Sequence, residues 1–191
     1  MEAFEHVVRV YLESEGFVVS GNVKFPVRRQ TKRLDRVEFQ THGYEIDVVA
    51  ARRNELMLGS IKSFFGSKGV ERQGFKGIAN PLRRTHFDDY RLFNDADLRN
   101  EIVRQAAERY GYAESHVRVA LYVGRFYAKD REAVERHLRS IVVGKHAVRV
   151  VSLDVLAPKL IELSKSGTYS NDPVVMTVKM LREANLLSSP S

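Results

Sequence analysis

The run VRVALYVGRFY, residues 117 to 127, limits the fold more than any other stretch of the chain. From Val117 to Val123 only Arg118 is charged, and the rest is β-branched, aromatic or small apolar. So short a run, rich in valine and without alternation, reads as a strand with both faces buried. Such a strand sits inside a sheet packed between helices, so the chain must supply helices for two faces. Ala96 to Tyr110 offers one, with Leu98, Ile102, Val103 and Ala106 as its apolar stripe, Asp95 or Asn94 as cap and Gly111 as its stop. DREAVERHLRSIV, with Asp130 at its start, offers another.

The other elements follow from the same periodicities. Phe4, Val7, Val8, Tyr11 and Leu12 stand at helical spacing before Gly16. FVVSGNVKF reads as a strand with a turn or bulge at Gly21-Asn22, and Pro26 argues against an uninterrupted central strand. VEFQTHGYEIDVVAA reads as two strand pieces around His42-Gly43, and LMLGSIKSF as a further strand after a turn at Arg53-Asn54. Residues 64 to 85 hold four of the twelve glycines and no period, the mark of a long functional loop with one short helix. HAVRVVSLDVL is a last strand running into a helix through Leu163, and Asn171 to Leu187 is a separate amphipathic helix opened by Asp172-Pro173. The expected fold is α/β, a central mixed β-sheet flanked by helices, over residues 1–165, with a C-terminal helical tail over 166–191.

Composition narrows the function. The 191 residues include no cysteine, which removes disulfide scaffolds, thiolate zinc sites and cysteine nucleophiles and suits a reducing cytoplasm. The opening MEAFEHVVRVYLESEGF lacks the parts of a signal peptide, and no apolar run approaches the roughly 20 residues that span a bilayer. A soluble, cytoplasmic protein without membrane contact is expected. The net charge of +7 favours an anionic partner. The basic residues cluster: Lys24, Arg28, Arg29, Lys32, Arg33 and Arg36, then Lys62, Lys68, Arg72 and Lys76, then Arg83 and Arg84. Nucleic acid is the expected partner.

Asp47 ends the acidic part of EIDVVA, and Lys62 stands fifteen residues on, at the end of the next strand. Two strands joined by a turn bring their ends together, so this acid and this lysine can face one cleft. Phosphodiester hydrolysis uses such a pair: a carboxylate to hold Mg²⁺ (or Mn²⁺), and a lysine to orient water and offset charge on phosphate oxygens. A magnesium site needs few protein carboxylates.

Over roughly residues 2 to 125, the chain resembles the PD-(D/E)XK nucleases, with their restriction-endonuclease-like fold. The resemblance rests on a helix, a three-stranded meander, a helix and a strand, with GYEID ending in Asp47 and Ser60-Ile61-Lys62 at the acid-x-Lys triplet. It implies a metal-dependent nuclease acting on DNA. Asp47, Glu5 in FEHVV and the Ile61 carbonyl would hold the metal, and Lys62 would position water. Ser60 departs from the pattern, putting a neutral hydroxyl where the family has an acid. Three outcomes stay open: an acid from downstream, Glu71 or Glu101; Glu45, which in a regular strand shares a face with Asp47; or a domain that binds nucleic acid without cutting it.

The loop SFFGSKGVERQGFKG fits a substrate-facing element, with Ser63 and Ser67 as phosphate donors and Lys68, Arg72 and Lys76 as cations; Arg28 and Arg29 extend the basic track. Of Phe64 and Phe65, at least one belongs in the core. Gly66-Ser67-Lys68-Gly69 lacks P-loop spacing, the six histidines show no metal-ligand spacing, and no G-x-S-x-G elbow occurs. Gln105 and Tyr110 are weaker site candidates. Met176, Met180 and Leu181 read as packing or an interface, which could join a homodimer through the tail.

Overall fold

The computed structural model describes residues 2–30, 39–80, 87–167 and 170–187. The apolar run forms β4 (Val117–Val123), paired in parallel on one side with β3 (Glu55–Lys62) and on the other with β7 (Arg149–Ser152). β1 (Val18–Gln30) and β2 (Phe39–Arg52) complete a meander with β3, so the sheet runs β1-β2-β3-β4-β7 with an antiparallel and a parallel half. It is the α/β, mixed-sheet architecture expected.

Helices cover both faces. On one lie α2 (Arg91–Asn94), α3 (Ala96–Tyr110) and α4 (Arg131–Ser140), with Leu92, Leu98, Ile102 and Leu138 packed on Val119, Leu121 and Val123. On the other lie α1 (Ala3–Ser14) and α5 (Leu153–Ser164), where Phe4, Val8, Leu12 and Leu156 meet Met57, Ala120 and Tyr122. Even residues of β4 face α1 and odd ones face α3, so the run is buried twice over. Asp95 accepts from the Leu98 N–H at 3.0 Å and Gly111 takes a positive φ of 73°, so α3 starts and stops where local chemistry dictates. Asp130 stands at the N-cap of α4, but its side chain makes no capping bond; it accepts from the Arg72 N–H at 3.1 Å and ties the long loop down. The hairpin of β5 (Val142–Val143) and β6 (His146–Ala147) precedes β7.

Three expectations change. β1 runs on past FVVSGNVKF through Pro26 to Gln30; it is the sheet's edge and not a central strand, in keeping with Pro26, and an edge strand tolerates a missing N–H. The Pro26 carbonyl there accepts from Gln105 of α3 at 2.8 Å. β2 is likewise one strand, with Gly43 opposite Pro26 and no break at His42-Gly43. The third change concerns the pleat. Val23, Phe25, Val27 and Ile46 face α3, yet Val19, Val48 and Ala50 face α1. Both strands therefore change faces where the register skips Asn22 and Asp47, between the Gly21–Val48 and Val23–Ile46 pairs, and Asn22 there takes φ 54°. Glu45, held by Lys24 across the ribbon, is not among the residues that line the Asp47 crevice.

The tail forms α6 (Pro173–Glu183), capped by Asp172, and packs back on α1 and α5 through Val10, Leu160 and Val175. Met180 and Leu181 point outward. Among the described residues no helix is long and apolar enough to cross a membrane.

Candidate functional site

The β2–β3 ladder pairs Val48 with Gly59 as its last rung, and beyond it the two strands part. Asp47 fills the opening. Its Oδ2 accepts from the Ile61 N–H at 2.6 Å and from the Ser60 hydroxyl at 3.1 Å. The carboxylate thus replaces the ladder acceptor that β3 would otherwise lack. Oδ1 has no hydrogen-bond partner among the described residues. The face switch at Asn22 turns Asp47 into this position, and regular alternation could not have foreseen it.

Asp47 lines a narrow crevice with Glu5, Arg9, Asn22 and Ile61, so the first helix does bring its acid to the same place. Glu5 Oε2 is also engaged, accepting from the Glu2 N–H at 3.0 Å, and Arg9 is paired with Glu13. Ser60 donates its hydroxyl to Asp47 and so fixes that carboxylate. Lys62 alternates with Leu56 and Leu58 and so emerges on the α3 side, where its Nζ lies 5.9 Å from the Tyr90 ring. Asp47 and Lys62 therefore flank the parted strand ends from two sides and do not line one crevice. Lys62 makes no ion pair among the described residues.

The acids considered as replacements for the missing carboxylate separate clearly. Glu45 pairs with Lys24 at 3.6 Å on the exposed ribbon. Glu101 is held on the surface of α3 by Arg104 and Gln105, whose bonds pull its carboxyl down to about 2. Neither is part of the Asp47 crevice. Glu71 lies on the α3 side near Tyr90, with its side chain unpaired among the described residues. Among the described residues no three His, Cys, Asp or Glu side chains gather as a metal-binding group. The donors available to a cation are Asp47 Oδ1, Glu5 and the Ile61 carbonyl, enough for Mg²⁺, which uses one or two carboxylates and keeps its waters.

The loop after β3 folds over the C-terminal ends of β3 and β4. Val70 bridges to Phe126, and Gly69 lies so close that a Cβ would sit 2.7 Å from the Arg125 carbonyl oxygen. Arg72 begins a short helical turn, Arg72–Gly74. Beneath the loop is a cleft of about 1000 Å³ lined by residues that include Phe64, Lys68, Glu71, Arg72, Tyr90 and Tyr127. Lys68 and Lys76 are exposed, and Arg72 is half-exposed beside Asp130 at 3.5 Å. Ser63 is half-buried, and Ser67 is spent on the loop itself, donating to the Phe64 carbonyl at 3.3 Å. Phe64 packs against the main core, while Phe65 stays exposed, edge-on to Phe4. Arg28 stacks over Phe39 at 4.5 Å; the side chain of Arg29 and residues Lys32, Arg33, Arg36, Arg83 and Arg84 lie outside the described residues.

No protein-family model matches the chain, and no curated protein matches it. Among solved structures, the crystal structure of a protein of unknown function, AF1548, is similar over 95% of this chain and 77% of its own, at 15% identity and a TM-score of 0.38. A likeness at that level carries no argument about the site.

Sequence reasoning passed over two tyrosines. Burial pushes the Tyr44 hydroxyl up to about 12; a backbone hydrogen bond at Leu92 opposes the shift and the Asp47 charge adds to it. Tyr90 is raised further by burial, with Asp89 and Glu71 adding. Tyr44 stands two residues before Ile46 on the same face, a signal that alternation did carry.

Proposed function

We propose that the protein is a metal-dependent nuclease of the PD-(D/E)XK type, hydrolysing phosphodiester bonds in DNA. The observation that carries the reading is Asp47, held at the opening between β2 and β3 beside Glu5 with one oxygen bonded and the other without a partner among the described residues. Lys62, in no ion pair among the described residues, stands on the other side of the parted strands. The order α1, β1-β2-β3, α3, β4 supports it as well. Asp47 and Glu5 would hold the metal with the Ile61 carbonyl. Mg²⁺ or Mn²⁺ bound there supplies Lewis acidity toward a phosphate oxygen and an attacking water. Ser60 positions Asp47 through its hydroxyl. Lys62, on a flexible four-carbon stem, reaches round the end of β3 to orient water and offset phosphate charge. Lys68, Arg72, Lys76, Arg28 and Arg29 follow the backbone. In this reading the cysteine-free enzyme works in the cytoplasm, and the outward Met180 and Leu181 join a homodimer; sedimentation as a monomer at every concentration would remove that last part.

Cleavage of supercoiled plasmid in Mg²⁺, Mn²⁺ or EDTA tests the proposal. Cutting should need metal and fall at least about a hundredfold in Asp47→Ala and in Lys62→Ala. Undiminished cutting in EDTA sinks it. A second reading, a nucleic-acid-binding module without catalysis, is favoured by Ser60, which leaves the site one charge short. It predicts no cutting in any metal and salt-sensitive DNA binding that survives in both variants.

A further inference from the structure

In the reading above the loop residues only grip the phosphate backbone, and the cleft of about 1000 Å³ beneath them has no role. Its construction is specific. Tyr90 forms one wall, its ring 4.4 Å from that of Phe75, and Gly74 lies so close that a Cβ there would meet the Tyr90 ring at 2.5 Å. Tyr127 is 37% exposed and lines the cleft together with Phe64. The Val70–Phe126 bridge and the bond from the Arg72 N–H to Asp130 pin the middle of the loop over the cleft.

The charges select the ligand. Arg72 and Asp130 satisfy each other, which leaves the ammonium groups of Lys68 and Lys129 and the carboxylate of Glu71 without partners among the described residues. A purely apolar ligand would strand those charges. A bare polyanion would meet Glu71, Asp89 and Asp130 alongside the lysines. A planar ring with donors and acceptors on its edge, joined to one phosphate, suits aromatic walls, a free acceptor and two free cations together. The volume lies at the upper end of the usual range for small-molecule sites, about 300–1,000 Å³, and admits such a group.

We propose that this cleft receives a single unstacked nucleotide of the bound strand, its base against Tyr127 and its phosphate between Lys68 and Lys129. The inference rests on nucleic acid being the substrate, and it fails or stands separately from the chemistry at Asp47.

Calorimetric titration with adenosine 5′-monophosphate in EDTA tests it, with adenosine and inorganic phosphate titrated separately. The monophosphate should bind more tightly than either half. Tyr127→Ala and Lys129→Ala should each weaken it about tenfold, within the range of one base–aromatic stack, while Tyr127→Phe and Asp47→Ala bind like wild type. Circular dichroism checks that each variant is folded; Lys129 is exposed, so its variant keeps the test alive should Tyr127→Ala unfold. Absence of monophosphate binding at millimolar concentration overturns the proposal, as does unchanged affinity in both weakening variants. Phosphate binding as tightly as the nucleotide also overturns it, since the cleft is then an anion site. Metal-dependent cutting without nucleotide binding removes the cleft and leaves the nuclease; nucleotide binding without cutting does the reverse.

Discussion

Replacing Gly59 with alanine probes the rung on which the candidate site is built. Gly59 pairs with Val48 immediately before the strands part, and both neighbours on its α1 side are buried. A Cβ at Gly59 would stand 2.5 Å from Val48 Cγ1 and 2.7 Å from Tyr122 Cε2, closer than carbon atoms approach. Tyr122 is fully buried between sheet and helices, so its ring has little room to retreat. Overpacking of this kind costs about 1–3 kcal/mol, and the lost freedom of glycine in the unfolded chain returns about 0.4–1 kcal/mol. The expected net loss is about 1–2 kcal/mol, a fall in Tm of about 2–8 °C for a chain of this size. Urea denaturation gives the loss directly, with an unchanged m-value showing that the native state is still compact. Adding Val48→Ala removes one of the two clashes, so the pair should couple favourably by at least about 0.5 kcal/mol. A Gly59→Ala protein as stable as wild type, or more so, would refute the close packing on which this reasoning rests.

Two further expectations concern stability. Asp95→Ala removes the acceptor of the Leu98 N–H and should cost about 1 kcal/mol in urea denaturation. Burial pushes the Asp95 carboxyl up, but the Leu98 N–H and Arg91 outweigh it and hold it below its usual value. A depressed folded value gives stability that is present above the unfolded value, about pH 4, and is lost as pH falls through the folded one. Acid titration of stability should therefore lose part of its slope below about pH 4 in Asp95→Asn; an unchanged slope would show that Asp95 contributes nothing there. Tyr122→Phe removes a buried hydroxyl that has no hydrogen-bond partner among the described residues. Thermal denaturation should find it neutral or stabilising by up to about 1 kcal/mol, and a clear loss would mean that the hydroxyl is bonded after all.

What could be read in advance was whatever local chemistry decides. Asp95, the apolar stripe and Gly111 mark both ends of α3 without help from the rest of the chain, and the unalternating valines of β4 demand two covered faces. Pro26 rightly excluded a central strand, but how far β1 runs past it was hidden, because strand order is set by pairing across the sheet. Glu45 could not be placed by alternation alone, because its cross-strand partner Lys24 holds it out on the ribbon and pairing across the sheet is not written in β2. Glu101 carried its own warning, since Arg104 and Gln105 stand three and four residues on, at the spacing of helical partners. The walls of the loop cleft were hidden for a different reason. Tyr90 and Tyr127 come from separate segments, and a long-range contact between Val70 and Phe126 holds the loop over them.

The change of faces at Asn22 and Asp47 also sets how the chain can vary in length. Val23, Phe25 and Val27 reach the α3 core only because the switch happens once, and Val19 keeps its place toward α1 for the same reason. A single residue inserted between Asn22 and Val23 would reverse all three and turn their apolar side chains to the open side of the ribbon. Two inserted residues would restore their direction. In this part of the chain, length is counted in pairs.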